Sequence, residues 1–190
     1  VKVLRKAFLV KQGSRSVTHA ICEKTVLQEM ARKRHPYIVS LQQSFQDEQH
    51  LYLVMDFVGG GDLFTLLEKR RRFPEEWARV YAGEIALALQ HLHEEGIIFR
   101  DLKPENVMVS LDGHLKLTDF GLAKKVDVGA VMRGSCVGTP EYMAPELMTR
   151  QEYGAKVDWW TLGCLLFEMV VGRSPFAGDD LKQLVHDITT

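Results

Sequence analysis

The chain has 190 residues, of which 46% are hydrophobic and 26% charged, so it can bury the core of one domain or of two small lobes. Its formal net charge is -1, and neither half of the sequence has a strong excess of positive or negative residues. This distribution argues against binding to nucleic acid or to a membrane surface. Cys22, Cys136 and Cys164 are widely spaced and form no CxxC pair, so neither a disulfide framework nor a zinc site is expected.

No signal peptide or membrane span is predicted. Residues 1–12 lack an apolar core, and the longest apolar run, 164–171, contains Glu168 and is too short to cross a bilayer. We therefore expect a protein of a reducing compartment, the cytoplasm or the nucleus.

The first predicted elements are a strand at residues 1–4 and a helix at residues 17–31. The helix has the apolar spacing of one buried face, and the residues on or near that face are Ala20, Ile21, Leu27 and Met30. Glu23 on this helix can pair with Lys2 on the strand. The alternative is that Lys2 is an exposed edge residue and Glu23 a surface acid.

Two strands are predicted next, at residues 38–45 and 51–57, because both stretches are rich in β-branched and aromatic residues. They should form an antiparallel pair. The glycines at 59–61 end the second strand, and no Gly-Lys-Ser/Thr follows them, so we expect a flexible connector and not a phosphate-binding loop. Asp62 is placed to cap the next helix.

A long helix is predicted from Pro74 to about Glu95, with a buried stripe formed by Trp77, Tyr81, Ile85, Leu89 and Leu92. His91 and His93 lie two positions apart and therefore point to different faces of this helix, which argues against a metal pair. Both are predicted to be structural.

Residues 96–121 hold the densest group of chemically capable side chains. Asp101, Lys103 and Asn106 fall within six residues, and a hairpin formed by 107–109 and 114–118 leads to Asp119. One carboxylate can accept the proton of an attacking hydroxyl, while amide and carboxylate oxygens can hold Mg²⁺, as phosphoryl transfer requires. The alternative for Asp119 is an ordinary turn residue.

The remaining chain begins with a stretch that lacks periodicity, residues 122–139, and is predicted to be a mobile loop. The helix predicted at 157–171 is apolar on nearly every side, which indicates burial at a domain centre. Another helix is predicted at 179–188.

The motifs in this second half resemble those of eukaryotic protein kinases. Asp-Leu-Lys-Pro-Glu-Asn at 101–106 is similar to the catalytic loop, Asp-Phe-Gly at 119–121 to the metal-binding motif, and the sequence at 138–146 to the end of the activation segment. Lys103 and Thr139 resemble the residues of serine/threonine kinases. Asp-Trp-Trp at 158–160 and Gly-Thr-Pro-Glu-Tyr at 138–142 resemble the AGC group, especially its cyclic-AMP-dependent and ribosomal-protein-phosphorylating members.

The resemblance implies a two-lobed α/β kinase fold, with a partial N-lobe at 1–58 and a partial C-lobe at 59–190. Phe99 stands where His or Tyr is usual and is expected to stack between Phe120 and Leu27. Two smaller departures are the reversed Cys-Val order at 136–137 and the extra residues at 31–34. A Gly-rich loop before Lys2 and the last helices are absent, so we expect a fragment that is poorly active alone.

The implied cofactors are ATP and Mg²⁺. By position, Asp101 would deprotonate the acceptor hydroxyl, Lys103 would stabilise the transferring group, and Asn106 and Asp119 would hold metal. The residues implied at the nucleotide are Lys2, Glu23, Met55, Asp56, Val58, Asp62, Glu105 and Met108. Of these, Lys2 and Glu23 would position the phosphates, and the others would surround the adenine and ribose.

The implied partners are a protein substrate with a Ser or Thr acceptor and an upstream activating kinase, with no nucleic acid. Asp62, Glu105 and Glu168 would bind arginines that precede the acceptor. Ser135 and Thr139 belong to the activation segment. His19, Arg100 and Lys124 would face a phosphate on Ser135, and Arg100 would otherwise be a cation without a partner.

The alternative function is a catalytically inactive kinase-fold scaffold. Such proteins commonly lose the phosphate-aligning lysine, the catalytic Asp or the metal-binding Asp. This chain retains all three, as Lys2, Asp101 and Asp119.

Overall fold

The structure is a computed structural model that describes residues 1–133, 137–176, 178 and 180–190. The helices in these ranges are α1 (Lys6–Gln12), α2 (Ser14–Lys33), α3 (Leu63–Arg70), α4 (Glu75–Glu94), α5 (Pro145–Met148), α6 (Lys156–Val171) and α7 (Leu181–Thr189). The strands are β1 (Lys2–Arg5), β2 (Leu41–Gln46), β3 (His50–Met55), β4 (Ile97–Ile98), β5 (Val107–Val109), β6 (Leu115–Leu117), β7 (Lys124–Lys125), β8 (Met132–Arg133) and β9 (Glu152–Tyr153).

The N-terminal part is an antiparallel three-stranded sheet of order β1-β3-β2, with Lys2 opposite Leu53. The predicted antiparallel pair is therefore confirmed, but β2 begins three residues later than expected and β3 ends two residues earlier. Residues 38–40 precede β2 and are not part of it. Ile38 forms an isolated β-bridge with Leu117. Phe57 lies beyond β3 and is 93% exposed. Helix α1 was not among the predicted elements.

Helix α2 confirms the helix predicted at 17–31 and extends it at both ends. Its buried positions are Ala20, Glu23, Val26, Leu27 and Met30. Ile21 was predicted on or near this face and is 59% exposed, so that prediction is wrong. One residue of a helix corresponds to a rotation of about 100°, and Ile21 is thereby turned away from the face that contains Ala20.

Helix α4 buries Tyr81, Ile85, Leu89 and Leu92, as predicted, but Trp77 is 41% exposed. The buried stripe begins instead at Ala78, one position further along the helix. The Trp77 ring remains partly covered, because the Arg70 guanidinium lies 5.5 Å from its centroid.

Helix α6 is apolar but not buried on every side, which corrects the prediction for 157–171. Its buried face packs against α4, and its other face carries half-exposed large side chains. These are Trp159, Leu166, Phe167, Val170 and Val171. In the described ranges, no helix combines the length and apolar character needed to cross a bilayer.

The glycine connector at 59–61 is fixed against the hairpin of β5 and β6, which corrects the prediction of a flexible linker. The Gly60 N–H donates to Val109 O at 2.8 Å, and the Val109 N–H donates to Gly61 O at 2.8 Å. A Cβ at Gly60 would lie 2.4 Å from Val109 O. Gly60 is therefore required by close backbone approach.

We expect Gly60→Ala to lower the free energy of unfolding by about 1–3 kcal/mol, because the added methyl forces the two backbones apart. Gly83→Ala is the matched control, since Gly83 lies inside α4 and a Cβ there meets no atom within 4 Å. The control should be more stable by about 0.5–1 kcal/mol. Urea denaturation measures both; equal changes at the two positions would contradict the close approach.

Candidate active site

The catalytic loop is held by a buried carboxylate on α6. Asp158 is fully buried, and its oxygens accept the backbone N–H groups of Phe99 at 2.9 Å and Arg100 at 2.8 Å. His93 Nε2 lies 2.7 Å from the same carboxylate. The sequence interpretation did not single out Asp158 as a site residue. The available signal was an acid near the start of a predominantly apolar helix, whose other acid is Glu168.

Four side chains of the candidate site are joined by hydrogen bonds around Asp101. Asn106 Nδ2 donates to Asp101 Oδ2 at 2.9 Å and to Asp101 O at 2.7 Å. Thr139 Oγ1 donates to Asp101 Oδ1 at 3.1 Å and accepts from Lys103 Nζ at 3.0 Å. The structure thus brings together the predicted catalytic residues and one residue of the activation segment.

Lys2 and Glu23 form the pair that their positions suggested. Lys2 Nζ lies 2.7 Å from Glu23 Oε1 and 3.1 Å from Asp119 Oδ1, and the Glu23 side chain is only 4% exposed. Burial opposes the charge on Lys2, but these two carboxylates outweigh it and raise the lysine's pKa above its ordinary value. The lysine therefore links helix α2 to the end of the hairpin.

The hairpin brings Asn106 and Asp119 together. Strands β5 and β6 pair with Val107 opposite Leu117, and the Thr118 N–H donates to Asn106 O at 3.0 Å. Asp119 has a φ of 57°, which turns the chain immediately after β6. An amide oxygen and a carboxylate are the hard oxygen ligands that suit Mg²⁺, so the donor set fits this ion.

The residues implied at the adenine line the junction between β3 and α3. The Asp56 N–H already donates to Ser40 O at 3.0 Å, which leaves the Asp56 carbonyl as the group that can bond a base. Met108 forms an isolated bridge with Asp62, and Met55 ends β3. Asp62 Oδ1 accepts the Thr65 N–H at 2.7 Å, which confirms the predicted helix cap.

The acids implied at substrate arginines fall into two places. Glu168 on α6 accepts a hydrogen bond from Tyr142 Oη. Burial raises the pKa of Glu168, the Tyr142 bond opposes this rise, and the nearby charge of Glu105 adds to it. Glu105 lies in the turn of the catalytic loop at Pro104–Asn106, and Asp62 caps α3.

Arg100 is not the unpartnered cation that we expected. Its Nε donates to Leu122 O at 2.7 Å and its Nη1 donates to Tyr153 Oη at 3.0 Å. Burial raises the pKa of Cys22 on α2, and the charges of Arg100 and Lys124 oppose that rise, so both cations lie near this helix. Ser135 lies outside the described residues.

His19 lies one helical turn before Glu23 and lines a cavity of about 190 Å³ together with Lys2, Glu23 and Asp119. Phe99 and Phe120 are both buried, with ring centroids 5.3 Å apart and planes inclined at 78°. The expected stacking is therefore an edge-to-face contact, the arrangement that the ring quadrupoles favour.

Comparison with known proteins agrees with this geometry. The Protein kinase domain family matches residues 1–190, and the chain belongs to this family. It is 49% identical, over 93% of its length, to the cAMP-dependent protein kinase catalytic subunit of Arthrobotrys oligospora. It is 43% identical to a RAC family serine/threonine-protein kinase homolog of Dictyostelium discoideum and 45% identical to serine/threonine-protein kinase Sgk2 of Homo sapiens, each over 99% of its length.

These relatives confirm the resemblance to AGC-group kinases. The chain spans 32%, 41% and 50% of their respective lengths. The family generally uses ATP and Mg²⁺.

Proposed function

We propose that this chain is the core of a protein serine/threonine kinase, with residues 1–58 in the N-lobe and 59–190 in the C-lobe. It would move the γ-phosphoryl group of ATP to a Ser or Thr hydroxyl. The observation that carries the proposal is the bonded group of Asp101, Lys103, Asn106 and Thr139. This group offers one proton acceptor and one cation at the same place.

Asp101 would act on the acceptor hydroxyl. Its carboxylate is held by Asn106 and Thr139, so a hydroxyl that donates to it would be oriented for attack while its proton is accepted. Lys103 reaches the same carboxylate at 3.5 Å and would stabilise the negative charge of the transferring group.

Asn106 and Asp119 would hold Mg²⁺, which supplies charge neutralisation at the phosphates when bound. Lys2, oriented by Glu23, would position the α- and β-phosphates. The adenine would lie at the junction of β3 and α3, against the Asp56 carbonyl. Val58 is proposed to supply its backbone there, with Met55 and Met108 enclosing the base.

An inactive scaffold is the competing function, and the bonded arrangement favours the enzyme. The test is phosphoryl transfer by the purified full-length protein that contains this chain, with matched peptides that differ only in a Ser, Thr or Tyr acceptor, with and without EDTA. We expect Mg²⁺-dependent transfer to Ser and Thr and little to Tyr. Nucleotide binding without transfer to any peptide would instead support the scaffold.

We also propose that substrates carry arginine before the acceptor. The support is that Glu168 contacts Tyr142 at the end of the activation segment and that Glu105 lies in the catalytic loop, so a substrate arginine could form charge-assisted hydrogen bonds with these carboxylates. Asp62, at the start of α3, would contribute a further carboxylate.

Glu168→Gln is expected to raise the KM for an arginine-containing peptide by about 10- to 100-fold, with kcat nearly unchanged. The pKa of Glu168 is raised, so its charge is present above that pKa and is lost as the pH falls through it. The KM ratio between arginine and alanine peptides should therefore approach one at low pH in the wild type. The same KM ratio should change less with pH in Glu168→Gln. Equal pH profiles of this ratio in the wild type and the variant would contradict the role of Glu168.

We further propose that an upstream kinase phosphorylates Ser135. The residue lies three positions before Gly138, and the support is the resemblance, which implies that a phosphate there would face His19, Arg100 and Lys124 and so join this segment to the catalytic loop. A location in the cytoplasm or nucleus is proposed with it.

Ser135→Ala should abolish the activation that follows treatment with an activating kinase. Peptide phosphorylation by the treated wild type and the treated variant measures this effect. Ser14→Ala is the control, because Ser14 is exposed at the first position of α2, away from this segment. Equal activity of the treated wild type and the treated Ser135→Ala variant would reject the switch.

A further inference from the structure

Glu84 is a buried acid in the middle of the apolar stripe of α4. Only 5% of the surface of Glu84 is exposed to solvent. Both of its carboxylate oxygens have hydrogen-bond partners on the hairpin of β5 and β6. Oε2 accepts the Leu115 N–H at 2.8 Å, and Oε1 lies 2.5 Å from His114 Nδ1. Because burial of an unpaired carboxylate is costly, these bonds fix the first residue of β6 to the helix.

Strand β6 runs from this attachment directly to the candidate metal site. Leu117 N–H donates to Tyr37 O at 2.9 Å, and Leu117 O accepts the Val39 N–H at 3.0 Å. The next amide, Thr118 N–H, donates to Asn106 O at 3.0 Å, and Asp119 follows. The strand is only three residues long, so its start and its end cannot move independently.

We propose that Glu84 is a positioning residue that sets the distance between Asn106 and Asp119 through β6, with His114 as the outer partner of its carboxylate. The inference rests on the proposed function, because it deepens the account of the same metal site. Glu84 does not touch the reacting atoms and is not a catalytic residue.

His114 makes the attachment sensitive to pH. The groups that face it are Glu84 from α4, Asp112 from the hairpin turn, and the Tyr37 ring, whose centroid lies 6.2 Å away. The Glu84 hydrogen bond and charge raise the pKa of His114, burial opposes the rise, and Asp112 adds to it. The charged pair is therefore complete below the ordinary histidine pKa and is lost as the pH rises through the raised one.

The experiment compares Glu84→Ala and Glu84→Gln with Glu94→Ala, a control acid exposed on the same helix and bonded to Gln90. We expect Glu84→Ala to speed hydrogen exchange at the Thr118 amide. It should also raise the Mg²⁺ concentration for half-maximal activity by about 10-fold or more, with the peptide KM unchanged. Glu84→Gln keeps an acceptor for the Leu115 N–H and should restore most of the Thr118 protection. Glu94→Ala should change neither quantity.

A purely structural role predicts a different pattern. The comparison is Cys164→Ala, which truncates a buried side chain on α6. With a purely structural role, Glu84→Ala would lower the melting temperature, but its Thr118 exchange rate and its Mg²⁺ dependence would match those of Cys164→Ala. That result would overturn the inference. If Glu84→Ala does not fold, the melting temperature of His114→Asn tests the pair of Glu84 and His114 instead. The melting temperature of the wild type should exceed that of His114→Asn at pH 6 and converge with it at high pH, and a pH-independent difference would contradict the pair.

A failure of the proposed function can be distinguished from a failure of the inference about Glu84. A wild-type protein that transfers no phosphoryl group would contradict the kinase activity, while exchange at Thr118 would still decide whether Glu84 fixes the hairpin.

Discussion

Replacement of Asp101 by Asn is expected to lower kcat by about 10²–10⁴-fold, because an amide cannot accept the proton of the acceptor hydroxyl. The substitution preserves shape, and its single amide oxygen can still accept the bond that Thr139 makes to Asp101 Oδ1 at 3.1 Å. The bond from Asn106 to Oδ2 is lost, but Asn106 Nδ2 keeps its bond to the Asp101 backbone oxygen at 2.7 Å. The loop should therefore keep its conformation. Initial rates at saturating ATP and peptide measure the effect, and the KM for ATP should stay within a small factor of the wild-type value.

Asp127→Asn is the control for this change, since Asp127 is an exposed acid outside the bonded group around Asp101. Its kcat should equal that of the wild type. If Asp101→Asn retained wild-type kcat, Asp101 would not be the proton acceptor, and another group would have to fill that role.

Replacement of Asp158 by Ala is expected to lower the free energy of unfolding by about 3–5 kcal/mol. The reason is that the buried N–H groups of Phe99 and Arg100 and the ring of His93 would lose a shared acceptor. Asp158→Asn keeps one acceptor oxygen and should lose less. Activity should fall in parallel, because the catalytic loop follows directly from Phe99 and Arg100.

Urea denaturation of both variants checks this prediction, and fluorescence and circular dichroism should report the same transition. A loss below about 1 kcal/mol for Asp158→Ala would place it among ordinary surface substitutions and contradict its role as the anchor of the loop.

Much of the candidate site could be predicted because its residues lie close together in the sequence. Asp101 and Asn106 are joined within a six-residue loop, and a tight hairpin leads to Asp119, so their proximity follows from short chain segments. The pair between Lys2 and Glu23 is more distant in sequence and came from the resemblance to kinases. Contacts of this kind follow from the family's fold and not from periodicity.

Tertiary packing decided what the sequence prediction missed. A helical stripe defines a face only to within one residue, so Ile21 and Trp77 were placed one position away from the buried rows. The outer face of α6 is apolar, yet half-exposed, because exposure depends on neighbouring elements and not on composition. Glu84 could have been noticed as an acid inside an apolar stripe, but its bonds to the hairpin span 30 or more residues.

Phosphoryl transfer by the bonded group around Asp101 can be followed by mass spectrometry of a serine peptide incubated with Mg²⁺, the purified full-length protein, and ATP whose γ-phosphoryl group carries heavy oxygen. We expect labelled phosphate on the serine with the wild type and none with Asp101→Asn prepared in parallel. Label that remains in ATP or appears only as free phosphate, or equal labelling of the peptide by both proteins, would contradict it.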